Sequence, residues 1–384
     1  MTVIINWMGE ASKLRGEWSG QKTVIISVVL LVTVMIGVLV FTNLGETKPE
    51  RGEETITIMD MTGREVEVPE KVDEIIGLEA GALRLITYLN CTDRVVGVEE
   101  FEKMEEHQKG RPYILAHPEL SNLPSIGPIH GGDPELIAAQ NPDVIFWTET
   151  TAGDAEDLQQ RTGIPVIAVE YGDLGANQDT IFEGLSLMGK VLDADQRAEE
   201  VIQYIELTIQ DLEDRTQSIP LEEKVEVYVG GVSYRGSHGI LGTEPRYAPF
   251  QFVDAENVVP DNLGVEHVMV SAEKIVEWNP DIIFVDEGGY SMVMEDLQEA
   301  KFRTLKAVQN GEIYGVLPQS YYTHNFGTVL ADSYYIGKTL YPTRFMDIDP
   351  ELKADEIYLE LVGEPVYNDM KKDFGGFQRI ELPD

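Results

Sequence analysis

Residues 133–146 read DPELIAAQNPDVIF, and residues 271–284 read SAEKIVEWNPDIIF. The two stretches lie 138 positions apart and share Glu135/Glu273, Ile137/Ile275, Asn141/Asn279, Pro142/Pro280, Asp143/Asp281, Ile145/Ile283 and Phe146/Phe284. Each follows the same plan. Asp133 or Ser271 offers a side-chain oxygen to the unpaired amides of a helix start. A short amphipathic run follows, and Asn-Pro ends it, because a proline disfavours helical geometry in the residue before it. An apolar strand comes next. A helix feeding a buried strand, written twice, predicts a chain built from two like α/β halves.

The flanking sequence repeats the alternation. Before and around the first copy come EIIGL (74–78), GALRLITYLN (81–90), RVVGV (94–98), DAEDLQQRTG (154–163) and PVIAV (165–169). Around the second come KVEVYVGG (224–231), EIYGV (312–316) and a helical region from Asn325 onward. Short Val/Ile-rich runs separated by helical periods indicate parallel strands in βα units. Ahead of them TITIMDMTGREVEV (55–68) alternates apolar and polar residues on both sides of Thr62-Gly63, the pattern of a β-hairpin. Between the halves, 193–218 places Ala198, Val201, Ile202, Ile205, Ile209 and Leu212 at helical spacing. Twenty-six helical residues make a rod of roughly 39 Å, long enough to cross from one half to the other. The expected fold is α/β, with two Rossmann-like lobes at 55–192 and 219–384 joined by a bridging helix at 193–218. Loops at the carboxyl ends of both sheets would then face a shared cleft.

The chain has 384 residues with 68 acids against 29 bases, a formal net charge of −39. Such a surface repels phosphate backbones and excludes nucleic-acid binding. It suits saline surroundings, where screening shortens self-repulsion. A lone cysteine, Cys91, excludes an intrachain disulfide or a multi-thiolate metal site. Thr23 to Phe41 is a 19-residue run without a charge, close to the ~20 residues a membrane-spanning helix needs. Lys13, Arg15 and Lys22 precede it, and Glu46 and Glu50 follow. The positive-inside rule then gives a cytoplasmic N-terminus (1–22), a transmembrane anchor (23–41), a polar tether (42–54) and a binding portion outside the cell. Read as a cleaved leader, the run gives the same compartment.

The outward-facing two-lobed plan, the opening ITIMDMTGREVEVPEKV (56–72) and the paired NPD segments resemble the solute-binding proteins of ABC importers for ferric siderophores and cobalamin. These are the class III periplasmic binding proteins, with a helical backbone, and the resemblance covers residues 55–384. It implies a receptor without catalytic activity or cofactor. Such a receptor captures an iron chelate and hands it to a membrane permease with ATPase subunits. Glu135 and Glu273 match the positions where family members dock into basic pockets of the permease. Without the resemblance, each glutamate simply complements a helix dipole.

Ligand candidates come from loops after strands. SYRGSH (233–238) brings Tyr234, Arg235 and His238 together, and QSYYTHN (319–325) adds Tyr321, Tyr322, His324 and Asn325. Glu79 and His130 follow or flank first-half strands. Ferric chelates are bulky, partly aromatic and often anionic, so guanidinium, phenol and imidazole groups suit them. Cobalamin or haem is an alternative cargo on the same fold. A receptor for bare zinc or manganese would need His130, His238 and His324 to converge with Asp286 or Glu287, although no HxH or HxxxH spacing supports it. An enzyme is the contrasting class, and the chain lacks a G-x-S-x-G elbow, an HExxH helix and a phosphate-binding loop.

Overall fold

Thirteen short strands carry the architecture of the computed structural model, which describes residues 54–382 apart from 265 and 266. The apolar run Thr23–Phe41, the segment before it and the tether up to residue 53 lie outside the described residues. Among the described residues, no helix is long and apolar enough to cross a membrane. β1 (Thr55–Met59) and β2 (Glu65–Pro69) form the antiparallel hairpin expected from their alternation. Cys91 is buried.

β3 (Ile75–Leu78), β4 (Val95–Gly97), β5 (Val144–Thr148) and β6 (Val166–Val169) make a parallel sheet in the order β4-β3-β5-β6. The second half contains β7 (Glu226–Gly230), β8 (Gly242–Thr243), β9 (Glu256–Asn257), β10 (Val268–Met269), β11 (Ile282–Asp286), β12 (Ile313–Val316) and β13 (Gln378–Arg379). Its main sheet runs β13-β12-β11-β7-β9, parallel except for β13. Strand for strand, β9-β7-β11-β12 repeats β4-β3-β5-β6. The internal repeat therefore marks a duplication of whole sheets. Even a detail of entry recurs: the Asp143 amide donates to the Glu74 carbonyl at 2.6 Å, and the Asp281 amide to the Glu226 carbonyl at 2.9 Å. β11 is buried along its length and β5 everywhere but at half-buried Trp147, as parallel strands covered on two faces must be.

Seven helices position the site: α1 (Ala82–Tyr88), α2 (Pro134–Gln140), α3 (Gln178–Val191), α4 (Asp195–Thr216), α5 (Ala272–Trp278), α6 (Phe326–Leu340) and α7 (Pro350–Val362). In the repeat, Asp133 caps α2 by accepting the amides of Glu135 and Leu136, and Ser271 caps α5 by accepting that of Lys274. Asn141 and Asn279 end these helices in the left-handed region, at φ 52° and 47°. Asparagine tolerates that conformation better than branched residues.

The bridging helix α4 is 22 residues long, roughly 33 Å, somewhat shorter at both ends than the 193–218 stretch. Asp193 adopts a positive φ of 52° in the turn leading into it, and the C-cap falls at Gln217. Its buried stripe of Ala198, Val201, Ile205, Ile209 and Leu212 packs on α3 and on α6. Arg197 Nε near its start donates to the Tyr88 carbonyl (2.9 Å), and Arg215 near its end pairs with both carboxylate oxygens of Asp347 (2.7 and 2.9 Å). It is not the only connection. α7, at the C-terminal end, packs on α1 of the first half, and His117 Nε2 donates to the Val362 carbonyl at 3.0 Å.

Candidate functional site

The carboxyl ends of the two sheets open onto one cleft of about 450 Å³. Ala80 follows β3, Glu149 follows β5, and Gly172, Asp173 and Asn177 follow β6. Facing them, Val232 to Arg235 follow β7, and Ser320, Thr323 and His324 follow β12. The antiparallel pair β8 and β10 brings Glu244 and His267 to the same wall. Parallel sheets gather loops in this way because every strand ends on the same side.

Three of the residues expected from sequence line this cleft: Tyr234, Arg235 and His324. Arg235 adopts a left-handed φ of 53°, and its guanidinium lies over the Tyr234 ring, 5.4 Å from the centroid. Tyr234 stacks nearly parallel on His267, with centroids 5.4 Å apart. His238 stands behind that pair. Its ring tilts against His267 at 4.7 Å, and its Nε2 donates to the Tyr234 carbonyl at 2.9 Å. Burial, and after it the neighbouring His238 ring, holds His267 below the usual imidazole range, so it is neutral at neutral pH. Its Nε2 is buried without a hydrogen-bond partner.

Of the four residues expected from the 319–325 loop, His324 lines the cleft and the other three play a different part. Tyr321, Tyr322 and Asn325 do not line the cavity; they fasten the second half to the first. Fully buried Arg84 of α1 donates to the carbonyls of His324 (2.9 Å), Tyr322 (3.1 Å) and Tyr321 (3.3 Å), and to the Tyr171 hydroxyl (2.6 Å). Tyr171 itself donates to the His324 carbonyl at 2.7 Å. The Tyr322 ring leans on Phe101 at 4.3 Å, and its hydroxyl donates to Glu99 Oε2 at 3.2 Å. Asn325 Nδ2 donates to the Gly110 carbonyl at 3.1 Å, while Tyr321 packs edge-on to Phe374. The Tyr322 phenol satisfies the buried Glu99 carboxylate and the loop's backbone carbonyls satisfy the buried Arg84 guanidinium, and those requirements hold this part of the loop against the first half.

Glu79 and His130 also lie outside the main cleft. They pair with each other, His130 Nδ1 donating to both Glu79 carboxylate oxygens at 2.7 and 2.8 Å. His130 borders a smaller hollow of about 230 Å³ beside Trp147 and Arg161. Beneath the pair, Glu99 accepts the amides of Glu79 and Gly131, each at 3.0 Å, and burial pushes its carboxyl up to about 7.

The grouping needed for a bare metal ion is not assembled. Asp286 turns into the second half, its Oδ1 accepting the Gly288 amide at 2.9 Å, and Glu287 Oε2 accepts the Gly376 amide at 2.8 Å. His130 is held by Glu79 in the first half. Among the described residues, no cluster of three or more His, Cys, Asp or Glu side chains can hold a metal ion. Asp286 and Glu287 belong instead to a buried acidic group with Asp332 of α6. Burial is the chief cause that raises all three, to about 8, to about 7 and well above the ordinary value respectively.

Glu135 and Glu273 are exposed in the first turns of α2 and α5, at equivalent places in the two halves. Hydrogen bonds from its own amide and from Ser271 hold the Glu273 carboxyl below the usual range. Sequence reasoning passed over Asp173, Asn177, Glu244 and His267 as cleft residues. For Asp173 and Asn177 the signal was present: DLGAN follows the strand PVIAV, and a loop after a parallel strand is a cleft loop. Asp173 organises that loop, accepting the amides of Gly175 and Ala176 and the Asn177 side chain. Glu244 and His267 carried no such mark, because β8 pairs with β10 across the whole of residues 244–267.

Comparison with known proteins agrees with this architecture. The family model described as periplasmic binding protein matches residues 75–320, well over half of the chain. The molybdate-binding protein MolA of Haemophilus influenzae is 24% identical over 324 residues, 78% of this chain and 89% of MolA. Its molybdate-bound structure aligns with a TM-score of 0.64 at 22% identity, over 81% of this chain and 98% of MolA's. The TroA-like periplasmic binding protein FepB of Veillonella parvula aligns at 0.60 and 21% identity, over 80% of this chain and 97% of its own. Helicobacter pylori CeuE in its nickel-histidine complex aligns at 0.59 and 18%, over 84% and 99%. At these identities the solved structures speak to the fold alone. The matched span runs from β3 to the loop after β12 and takes in the first parallel sheet, the parallel strands of the second and most of the cleft lining, so the chain belongs to the periplasmic binding protein family, in the class with a helical backbone.

Proposed function

We propose that this protein is an extracytoplasmic receptor that captures an iron chelate of the ferric siderophore type and delivers it to an ABC permease. The observation that carries the reading is the cleft itself. Its volume of about 450 Å³ falls in the range of ~300–1,000 Å³ typical of small-molecule sites. Its walls offer an aromatic ring, a guanidinium, imidazoles and hydroxyls, the groups that hold an oxygen-rich complex without transforming it. The lobes, 55–192 and 219–384, close on the cargo by a small movement. α4 spans them, and the Arg84 hydrogen bonds to the 319–325 loop oppose a wide hinge. The apolar run 23–41 holds the receptor at the outer face of the membrane.

Docking follows from the duplication. Glu135 and Glu273 project from equivalent helix starts, each fixed by a capped first turn. Two exposed carboxylates on rigid elements match basic pockets on a two-subunit permease and fix the receptor's orientation on it. ATP is hydrolysed by the partner's subunits, not here. Glu135→Lys combined with Glu273→Lys should abolish chelate uptake in cells while calorimetric affinity for the chelate stays the same. Persistent uptake would remove the docking assignment, and failure of any ferric chelate to bind would remove the cargo assignment.

A further inference from the structure

Ferric chelates range from cations to polyanions, and the cleft is built with a charge bias between them. Three carboxylate side chains line it, Glu149 and Asp173 from the first half and Glu244 from the second. Arg235 is the single Lys or Arg among its lining residues, and its guanidinium is drawn onto the Tyr234 ring. His267 is neutral, because burial and His238 oppose its protonation. Two of the acids are fixed in place: Glu244 accepts the Gln319 side-chain amide at 2.9 Å, and Asp173 is held by two backbone amides and Asn177. A formal −39 on the whole chain adds a field of the same sign.

We infer that the cleft selects chelates of net positive charge and turns away oxyanions and polyanionic chelates. The inference rests on the cargo reading above and narrows it. A carboxylate facing a ligand's cationic group across a partly desolvated gap attracts it, and the same carboxylate repels an oxyanion. A divalent tetrahedral oxyanion such as molybdate presents only acceptor oxygens and needs a cage of donors. Here the donors must share the walls with three carboxylates. The space is also wrong, since such an ion fills only a few water volumes of ~30 Å³ each, against a cleft of about 450 Å³. The molybdate held by MolA therefore does not carry over to this chain.

Two matched probes test this. The ferric complex of desferrioxamine B is a monocation through its pendant ammonium group, and the same complex with that amine succinylated is a monoanion around an identical iron core. Calorimetry on the purified full-length protein in detergent should show the cation binding about tenfold or more tightly than the anion, with a gap that narrows as salt rises. Inorganic molybdate should give no saturable heat. Glu244→Gln with Asp173→Asn should shrink the preference to about threefold or less. Arg235→Gln, an exposed position that leaves the fold intact, should widen it. Equal binding of the two chelates, or tighter binding of the anion, overturns the charge inference and leaves the cargo reading standing. Saturable molybdate binding with neither chelate bound overturns both, and so does the absence of binding to every probe.

Discussion

Arg84 shows how one side chain decides the relation between the halves. Its helix, α1, is buried along its whole length, and the guanidinium reaches carbonyls 237 to 240 positions away in sequence. The fork geometry of arginine meets several acceptors at once, which a lysine ammonium on a flexible stem does not reproduce. Arg84→Met should remove four hydrogen bonds at once, leaving the His324 carbonyl with only the Tyr171 hydroxyl and the Tyr322 carbonyl without the guanidinium. A cost on the order of 2–4 kcal/mol is expected in urea unfolding, because hydrogen bonds to charged groups are among the stronger ones. Ligand affinity should fall as well, since Thr323 and His324 of the released loop line the cleft. In sequence, the position reads only as an arginine inside the apolar period of GALRLITYLN. Its burial with a partner could be suspected from that pattern, but the partner could not be named. The same limit applies to Tyr321 and Tyr322, whose residue types suit a ligand as well as they suit an interlobe fastening.

At the scale of elements, the repeat is governed by local chemistry. α2 and α5 each run seven residues from a side-chain cap to a left-handed asparagine, then a proline, then a buried strand. A β-branched residue in the left-handed region costs roughly 1–2 kcal/mol. Asn279→Val should therefore lower stability by about that amount in thermal or urea unfolding, whereas Asn279→Gly should cost distinctly less. Asn141→Val should carry the same conformational cost, because the two positions share their conformation, while changes at Asn279 also remove the bond its Oδ1 accepts from the Lys306 amide at 2.9 Å. These elements were legible because each signal lies within a few residues of what it controls. The bridge was legible for the same reason, its apolar stripe requiring a helix, although its ends at Asp195 and Thr216 were set by the turns on either side.

For the molecule as a whole, the buried acids set the response to pH. Asp286 ends β11, Glu287 follows it, and Asp332 comes from the middle of α6; all three are buried together in the second half. Asp286 Oδ2 and Asp332 Oδ2 have no hydrogen-bond partner. Each folded-state pKa lies above the unfolded value, chiefly through burial. The folded state therefore binds more protons than the unfolded chain as pH rises from the ordinary carboxylate range near ~4. Stability should be highest at the acid end of that window and fall as pH climbs toward about 8, where Asp286 titrates. Differential scanning calorimetry across that range should show a declining melting temperature, and Asp332→Asn should flatten the decline. Asp347 works in another window. Its hydrogen bond with Arg215 holds it near 2, so its contribution is present above the ordinary carboxylate range and is lost only on strong acidification.

What the chain determined by itself was the alternation of strand and helix, the duplication, and the existence of a cleft at the ends of the strands. Caps, proline breaks and apolar periods act over a handful of residues, and each copy of the repeat carries its own instructions. The occupants of the cleft wall were a different matter. Tyr234 and Arg235 reach it from a loop after β7, but Glu244 and His267 arrive only when β8 pairs with β10, and Asp286 is buried in the second half instead of lining the cleft. Such placements depend on which buried group must find a partner across the fold, and only the closed tertiary structure decides that.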